Sequence, residues 1–214
     1  MTPNIKYNFK VSIDQFGQPV SSDWQDTSEQ VLINTFETAV LSLPKKSHYH
    51  MIELGANQAY YSILFKSILG KDITTNIMVE PYEPYVWRAK NQFELNGYEG
   101  VYIDKSIGDK CVIHGTSFNK QQTSIDELMQ EYKINDLDVL HCDIDGAEHT
   151  MLEGAKCTLK NKSVNYVFIL THYNLEWHNE VKRTISQWDY AVVHEEQNNI
   201  IGADRLLVIK RNEK

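Results

Sequence analysis

The chain has 214 residues, 42% of them hydrophobic and 23% charged, with only ten Gly and five Pro, which excludes a disordered or collagen-like chain and suits one hydrophobic core. A formal charge of −8, with acids and bases interspersed, argues against nucleic acid as a main partner. No apolar run approaches the roughly 20 residues that a spanning helix needs, and MTPNIKYNFK has no secretory pattern, so a cytoplasmic location is expected.

Taken in chain order, the pattern alternates helix and strand. Thr27 and Gln30 form a candidate capping box, and Leu32, Phe36, Val40 and Leu43 then recur at helical spacing until Pro44. His50 to Leu54 reads as a strand ended by Gly55, followed by a helix from Ala59 to Leu69 closed by Gly70. Thr74 to Val79 is a second strand, and Pro84 and Asn96-Gly97 bracket the next helix. Gly100 to Ile103 is a third strand, with a short extra one at Val112-Ile113. Thr123 with Asp126 and Ser124 with Glu127 compete to cap a helix reaching Tyr132. Leu137 to Cys142 is a strand, Ala147 to Leu159 a helix, and Val164 to Leu170 the most β-rich run of the chain. A helix over Asn179 to Gln187 precedes two last strands, Tyr190 to His194 and Arg205 to Lys210, joined closely enough for the last to run antiparallel. Cys111, Cys142 and Cys157 form no C-x-x-C pair and are expected to be buried small hydrophobes.

Such alternation predicts a parallel α/β sheet covered on both faces, with ligands at the carboxyl ends of the strands. The chemistry-bearing residues are therefore sought just after each strand. Gly55 would let the backbone turn beside a ligand, although a lone glycine turn is common and the G-x-G-x-x-G fingerprint is absent. Glu80, after the second strand, is placed to accept from ribose hydroxyls, or is a solvated strand end. Tyr82 is either a face for adenine or a surface ring. After the Leu137 strand, Asp143, Asp145 and Glu148 put three carboxylates within six positions, a cost that usually marks a site. The alternative has Asp145 as N-cap and Glu148 as a first-turn acid, which leaves Asp143 unexplained. His172, after the next strand, is a candidate base or metal ligand, with a structural histidine as the alternative. Tyr173 and Trp177 are a sugar platform or simple packing. Neither a G-x-S-x-G elbow nor a Walker A motif is present.

Three stretches in this order, MIELGANQAYYS from Met51, IMVEPYEPYVWRAKNQFELNGY from Ile77 and TSIDELMQEYKINDLDVLHCDIDGAEHTMLEGA from Thr123, resemble the FkbM family of S-adenosylmethionine-dependent methyltransferases. The similarity runs from Thr27 to Arg211. It implies a three-layer, Rossmann-like class I methyltransferase fold, whose seven-stranded, mostly parallel sheet has an antiparallel last strand. It also implies O-methylation, often of a sugar hydroxyl. By this resemblance Glu53, Gly55, Ala56 and Asn57 form the loop around the methionine part of S-adenosylmethionine, Glu80 is the ribose acid, and Asp104 to Ser106 lie beside adenine. Asp143, Asp145, Gly146 and Glu148 match the D-x-E-G-x-E signature, with Asp in place of its first Glu, and His172 matches the histidine after the next strand. Ala59 replaces a usual second glycine, and Thr171 stands where an acid is common.

The expected activity is methyl transfer to a hydroxyl of a sugar or glycan, such as a deoxyhexose like rhamnose. Asp143, Asp145 and His172 are the catalytic candidates. Two versions are open: Asp143 and His172 share Mg²⁺ or Mn²⁺ with Asp145 as base, or His172 or Asp143 is the base without a metal. Cofactor contacts are expected from Glu53, Gly55, Ala56, Asn57, Glu80, Tyr82, Asp104, Ser106 and Asp143. Residues 1–26, with Trp24, are expected to cover the acceptor site, beside the methyltransferase domain of residues 27–214, and the polar loop His114 to Gln122 to form its rim. The rival readings are a noncatalytic adenosyl-binding module and a nicotinamide-dependent oxidoreductase.

Overall fold

The computed structural model describes residues 27–108, 111–113, 116–118, 121–196 and 205–212. Trp24 and the rest of the 1–26 segment, and the loop residues 114, 115, 119 and 120, lie outside them.

Helix α1 (Thr27–Leu41) leads into β1 (Tyr49–Leu54), α2 (Tyr60–Leu69), β2 (Thr74–Val79), α3 (Glu83–Leu95) and β3 (Val101–Ile103). Four short strands follow: β4 (Ser106–Ile107), β5 (Cys111–Ile113), β6 (Thr116–Phe118) and β7 (Gln122–Thr123). The chain continues through α4 (Ile125–Glu131), β8 (Leu137–Cys142), α5 (Glu148–Gly154), α6 (Lys156–Lys160), β9 (Val164–Thr171), α7 (Leu175–Ile185), β10 (Tyr190–Glu196) and β11 (Arg205–Arg211). The main sheet has seven strands in the order β10-β11-β9-β8-β1-β2-β3. Its neighbours are parallel except at β11, which runs antiparallel to both β9 and β10.

The period of two in the strands sorts their side chains onto two faces. Ile52, Leu54, Leu140, Val167 and Ile169 meet Leu128 of α4, Leu152 of α5 and Val181 of α7. Met51, Val139 and Phe168 meet Leu32 and Phe36 of α1 and Phe65 of α2 on the other face. Both faces are thus covered, as the apolar strands require, and each fully buried Leu, Ile or Phe contributes roughly 1.5–3 kcal/mol.

Local signals chose the boundaries. Of the two competing caps, Ser124 begins α4: its side chain accepts from Glu127 N while Glu127 reaches back to Ser124 N. Asp126 is thereby free to accept from Cys157 N and Thr158 N at 2.8 Å. That contact holds the start of α6, so the single helix expected over Ala147 to Leu159 is two, with α5 ending at Gly154. α7 also begins earlier than its apolar pattern suggests, because Asn174 accepts from Trp177 N at 2.9 Å and caps it. Trp177 is therefore helical, not part of a loop. The expectation of three buried cysteines holds for Cys142 but not for Cys157, which is exposed. Among the described residues no helix is long and apolar enough to cross a membrane.

Candidate active site

From β1 the chain moves toward β2 and β3, whereas β8 and β9 lie on the other side of β1. The loops after β1 and β8 therefore part toward opposite faces and leave a crevice. They are also knit together: Asp143 N donates to Leu54 O at 3.0 Å, and Gly55 N to Val79 O at 2.9 Å. Gly55 has φ +71°, and a Cβ there would stand 1.7 Å from the Asp143 carbonyl oxygen, so only glycine fits.

Four of the seven non-glycine residues with positive φ among the described residues, Asn57, Ala59, Asp145 and Tyr173, lie in the loops after β1, β8 and β9. Each such conformation costs of the order of 1 kcal/mol, and strain gathered at one end of a sheet marks a site. Ala59, where a glycine would relieve that strain, is fully buried at the start of α2.

Glu53, near the end of β1, and Glu80, just after β2, organise the loop that follows β1. Glu53 is buried and accepts from Ser62 N in the first turn of α2 at 3.0 Å. Burial pushes its pKa up to about 8, so its carboxyl holds a proton at neutral pH. Glu80 accepts from Asn57 N at 3.1 Å and from Tyr82 N at 2.9 Å, tying the Gly55 loop to the start of α3. Its pKa is raised, chiefly by burial, against the pull of those two amides. Tyr82 is exposed with its ring edge-on to Tyr85, and Asp104 is exposed just beyond β3. Ser106 is buried, its backbone paired in β4 with β7, so its place is structural as much as cofactor-facing.

Asp143, Glu148 and His172 converge from three segments. His172 Nδ1 lies 2.7 Å from Glu148 Oε1, and its Nε2 3.2 Å from Asp143 Oδ1. Glu148 is fully buried and its other oxygen accepts from the Trp177 indole N–H at 2.9 Å. Burial would raise the Glu148 pKa, but the His172 and Trp177 hydrogen bonds outweigh it and hold the carboxyl below its ordinary range. Glu148 is thus neither an exposed first-turn acid nor a bare cap. Asp145 is exposed at φ +47° and stands outside this chain of contacts; the N-cap of α5 is Ala147, not Asp145. Thr171 is buried and bonded to His178 Nδ1 at 2.7 Å.

The expectation of a shared metal ion finds no support in the donor set. Among the described residues no group of three or more His, Cys, Asp and Glu is placed to hold one. Asp143 and His172 face each other as a pair, with no third donor of these types placed beside them among the described residues.

A pocket of about 110 Å³ lies between the two loops, lined by Glu53, Gly55, Asn57, Gln58, His141 and Asp143 among others. Sequence reasoning passed over His141, which lies near the end of β8, two residues before Asp143, and pairs in register with Glu53. The donor set suits the methionine end of S-adenosylmethionine: Asn57 Oδ1 and Gln58 Oε1 are buried without partners in the protein, beside the Asp143 carboxylate. Tyr173, 59% exposed, covers Gly146 where a side chain would stand, 2.4 Å from its hydroxyl, and meets the edge of Trp177 at 5.7 Å. Of the expected His114 to Gln122 rim, Gln121 and Gln122 are exposed, while the side chains of residues 114–120, and Trp24, lie outside the described residues.

A sheet of this order, with Glu53 near the end of β1, a glycine turn after it and acids after β2 and β8, is the Rossmann-like fold of the methyltransferase class. The model of the methyltransferase FkbM domain matches residues 53–192, and the chain belongs to that family. A search of curated proteins finds no match. Among solved structures, the chain is similar to methyltransferase FkbM from Methylobacillus flagellatus KT, with TM-score 0.60 and 16% identity over 78% of this chain and 45% of that one. It is also similar to M. capricolum TrmK in complex with S-adenosylhomocysteine, with TM-score 0.54 and 14% identity over 84% and 68% of the two chains. For the METTL16 MTase domain the TM-score is 0.61 and the identity 15%, over 96% and 74%. This chain thus spans under half the length of the FkbM protein. Of the two cofactor classes left open by the residues alone, the family carries S-adenosylmethionine.

Proposed function

We propose that the protein is an O-methyltransferase acting on a sugar or glycan hydroxyl, with His172 as a metal-independent general base. S-adenosylmethionine, when bound, supplies a sulfonium methyl to a nucleophile aligned with it. An alcohol is a poor nucleophile at neutral pH, so the protein has to orient it and take its proton. The observation that carries this reading is the 2.7 Å contact between His172 and the fully buried Glu148. With Nδ1–H donated to Glu148, Nε2 is the acceptor that receives the hydroxyl proton. Asp143, 3.2 Å from Nε2, stabilises the imidazolium that results. Asp145, exposed, has no part in the transfer.

Glu80 is assigned to the ribose, Tyr82 and Asp104 to the adenine end, and Asp143 with the Gly55 loop to the methionine end. The sugar reading rests on Tyr173, whose exposed ring is locked over Gly146 beside Trp177, a surface suited to the apolar face of a pyranose. The test is transfer of labelled methyl from S-adenosylmethionine to a panel of deoxyhexosides, glycans, phenols and tRNA, each with EDTA or with Mn²⁺. Labelling of a saccharide that EDTA leaves unchanged is expected. Labelling only of phenols or tRNA, or only with added metal, would overturn the assignment.

A further inference from the structure

His141 of β8 pairs in register with Glu53 of β1, so the two side chains stand beside each other on one face of the sheet. The histidine is 2% exposed. Its ring stacks on Tyr61, with centroids 4.1 Å apart and planes at 22°, and more distantly on Phe168 at 6.3 Å. Neither ring nitrogen has a hydrogen-bond partner in the protein. A phenylalanine would make the same ring contacts without leaving two buried polar atoms unpaired, so packing does not account for a histidine here.

The ring lines the pocket between the Gly55 loop and Asp143. That pocket presents the Asp143 carboxylate and the protonated Glu53 carboxyl, and among the described residues no Lys or Arg lines it. The amino-acid end of S-adenosylmethionine carries an ammonium and a carboxylate. Asp143 and the unpartnered oxygens of Asn57 and Gln58 are suited to the ammonium. For the carboxylate the described lining residues offer no cation, so a neutral donor is what they can supply. Burial lowers the His141 pKa to about 4, which leaves the ring neutral with one N–H to give.

We propose that His141 is a cofactor-binding residue whose ring N–H donates to the α-carboxylate of S-adenosylmethionine, an inference that rests on the methyltransferase reading. It assigns to the unpaired imidazole the cofactor carboxylate, which the Asp143 carboxylate would otherwise repel.

Calorimetric titration of wild type and His141→Phe with S-adenosylmethionine and with its decarboxylated analogue tests the assignment. Phenylalanine keeps the stacking, so only the hydrogen bond is removed. The substitution should weaken S-adenosylmethionine about tenfold and leave the decarboxylated analogue unchanged. Equal weakening of both ligands, or of neither, would overturn the proposal. Independently of any variant, the ring nitrogens of His141 in ¹⁵N-histidine-labelled wild type should shift with S-adenosylmethionine but not with the analogue; identical responses to the two would also overturn it. Wild type that binds neither ligand would instead overturn the cofactor reading beneath it.

Discussion

His172 is held by a carboxylate that never meets solvent: Glu148 is fully buried, and its Oε1 lies 2.7 Å from the ring Nδ1. A buried acid bonded to one nitrogen of an imidazole selects the tautomer and the direction of the other nitrogen. Here that other nitrogen faces Asp143 and the crevice between the loops.

Glu148→Gln keeps the shape of the side chain but can no longer select that tautomer. Turnover should fall by about 10²-fold, as for the loss of an oriented base, while the S-adenosylmethionine dissociation constant stays within about threefold. His172→Ala should lower turnover at least as far. Initial rates at saturating cofactor separate these effects, and a rise in KM without loss of kcat would remove the base from His172.

Two buried acids of this site should respond to pH with opposite signs. Glu148 is held below its ordinary range, so its contribution to stability is complete above about pH 4.5 and is lost as pH falls through the lower folded value. Glu53, pushed up to about 8 from 4.5, binds its proton more tightly in the folded chain; its contribution is complete below about pH 4.5 and is lost as pH rises toward 8. Glu53→Gln should therefore raise Tm relative to wild type more at pH 8 than at pH 5. Glu148→Gln should lower Tm at pH 7 and converge on wild type in acid. Thermal melts across pH 3.5 to 8.5, at intervals of about half a unit, check both signs.

Gly55→Ala should be the most damaging single methyl added to the site. The new Cβ would stand 1.7 Å from the Asp143 carbonyl oxygen at φ +71°, so the two loops have to part. A loss of roughly 2–4 kcal/mol, or about 5–15 °C in Tm, is expected together with loss of cofactor binding. A variant that melts like wild type and still binds S-adenosylmethionine would show that the loops separate easily.

Much of the fold was legible along the chain because its signals are local. Alternating apolar runs, Pro84 before α3, Gly70 after α2 and the Ser124/Glu127 box each act within a turn or two of their own position. β2 and β8 fall where the β-rich runs placed them, and β11 is antiparallel as its short connection suggests. The break between α5 and α6 was not legible, since it depends on Asp126, 31 residues before Cys157.

For the site, residue order determined which chemical groups stand at the carboxyl ends of the strands, since each lies immediately after a strand whose period is readable. Only the tertiary structure decided which of them touch. Sequence spacing treats Asp143, Asp145 and Glu148 alike, but the left-handed turn at Asp145 points it to solvent while the first turn of α5 carries Glu148 inward to His172. His141 looks like any residue of a buried strand until Tyr61 stacks on it and the Gly55 loop makes it part of a pocket wall with both nitrogens unpartnered. Hydrogen bonds and burial act through space over a few ångströms, and contacts between segments 24 or more residues apart, such as His172 with Glu148, exist only once the sheet has aligned its strands.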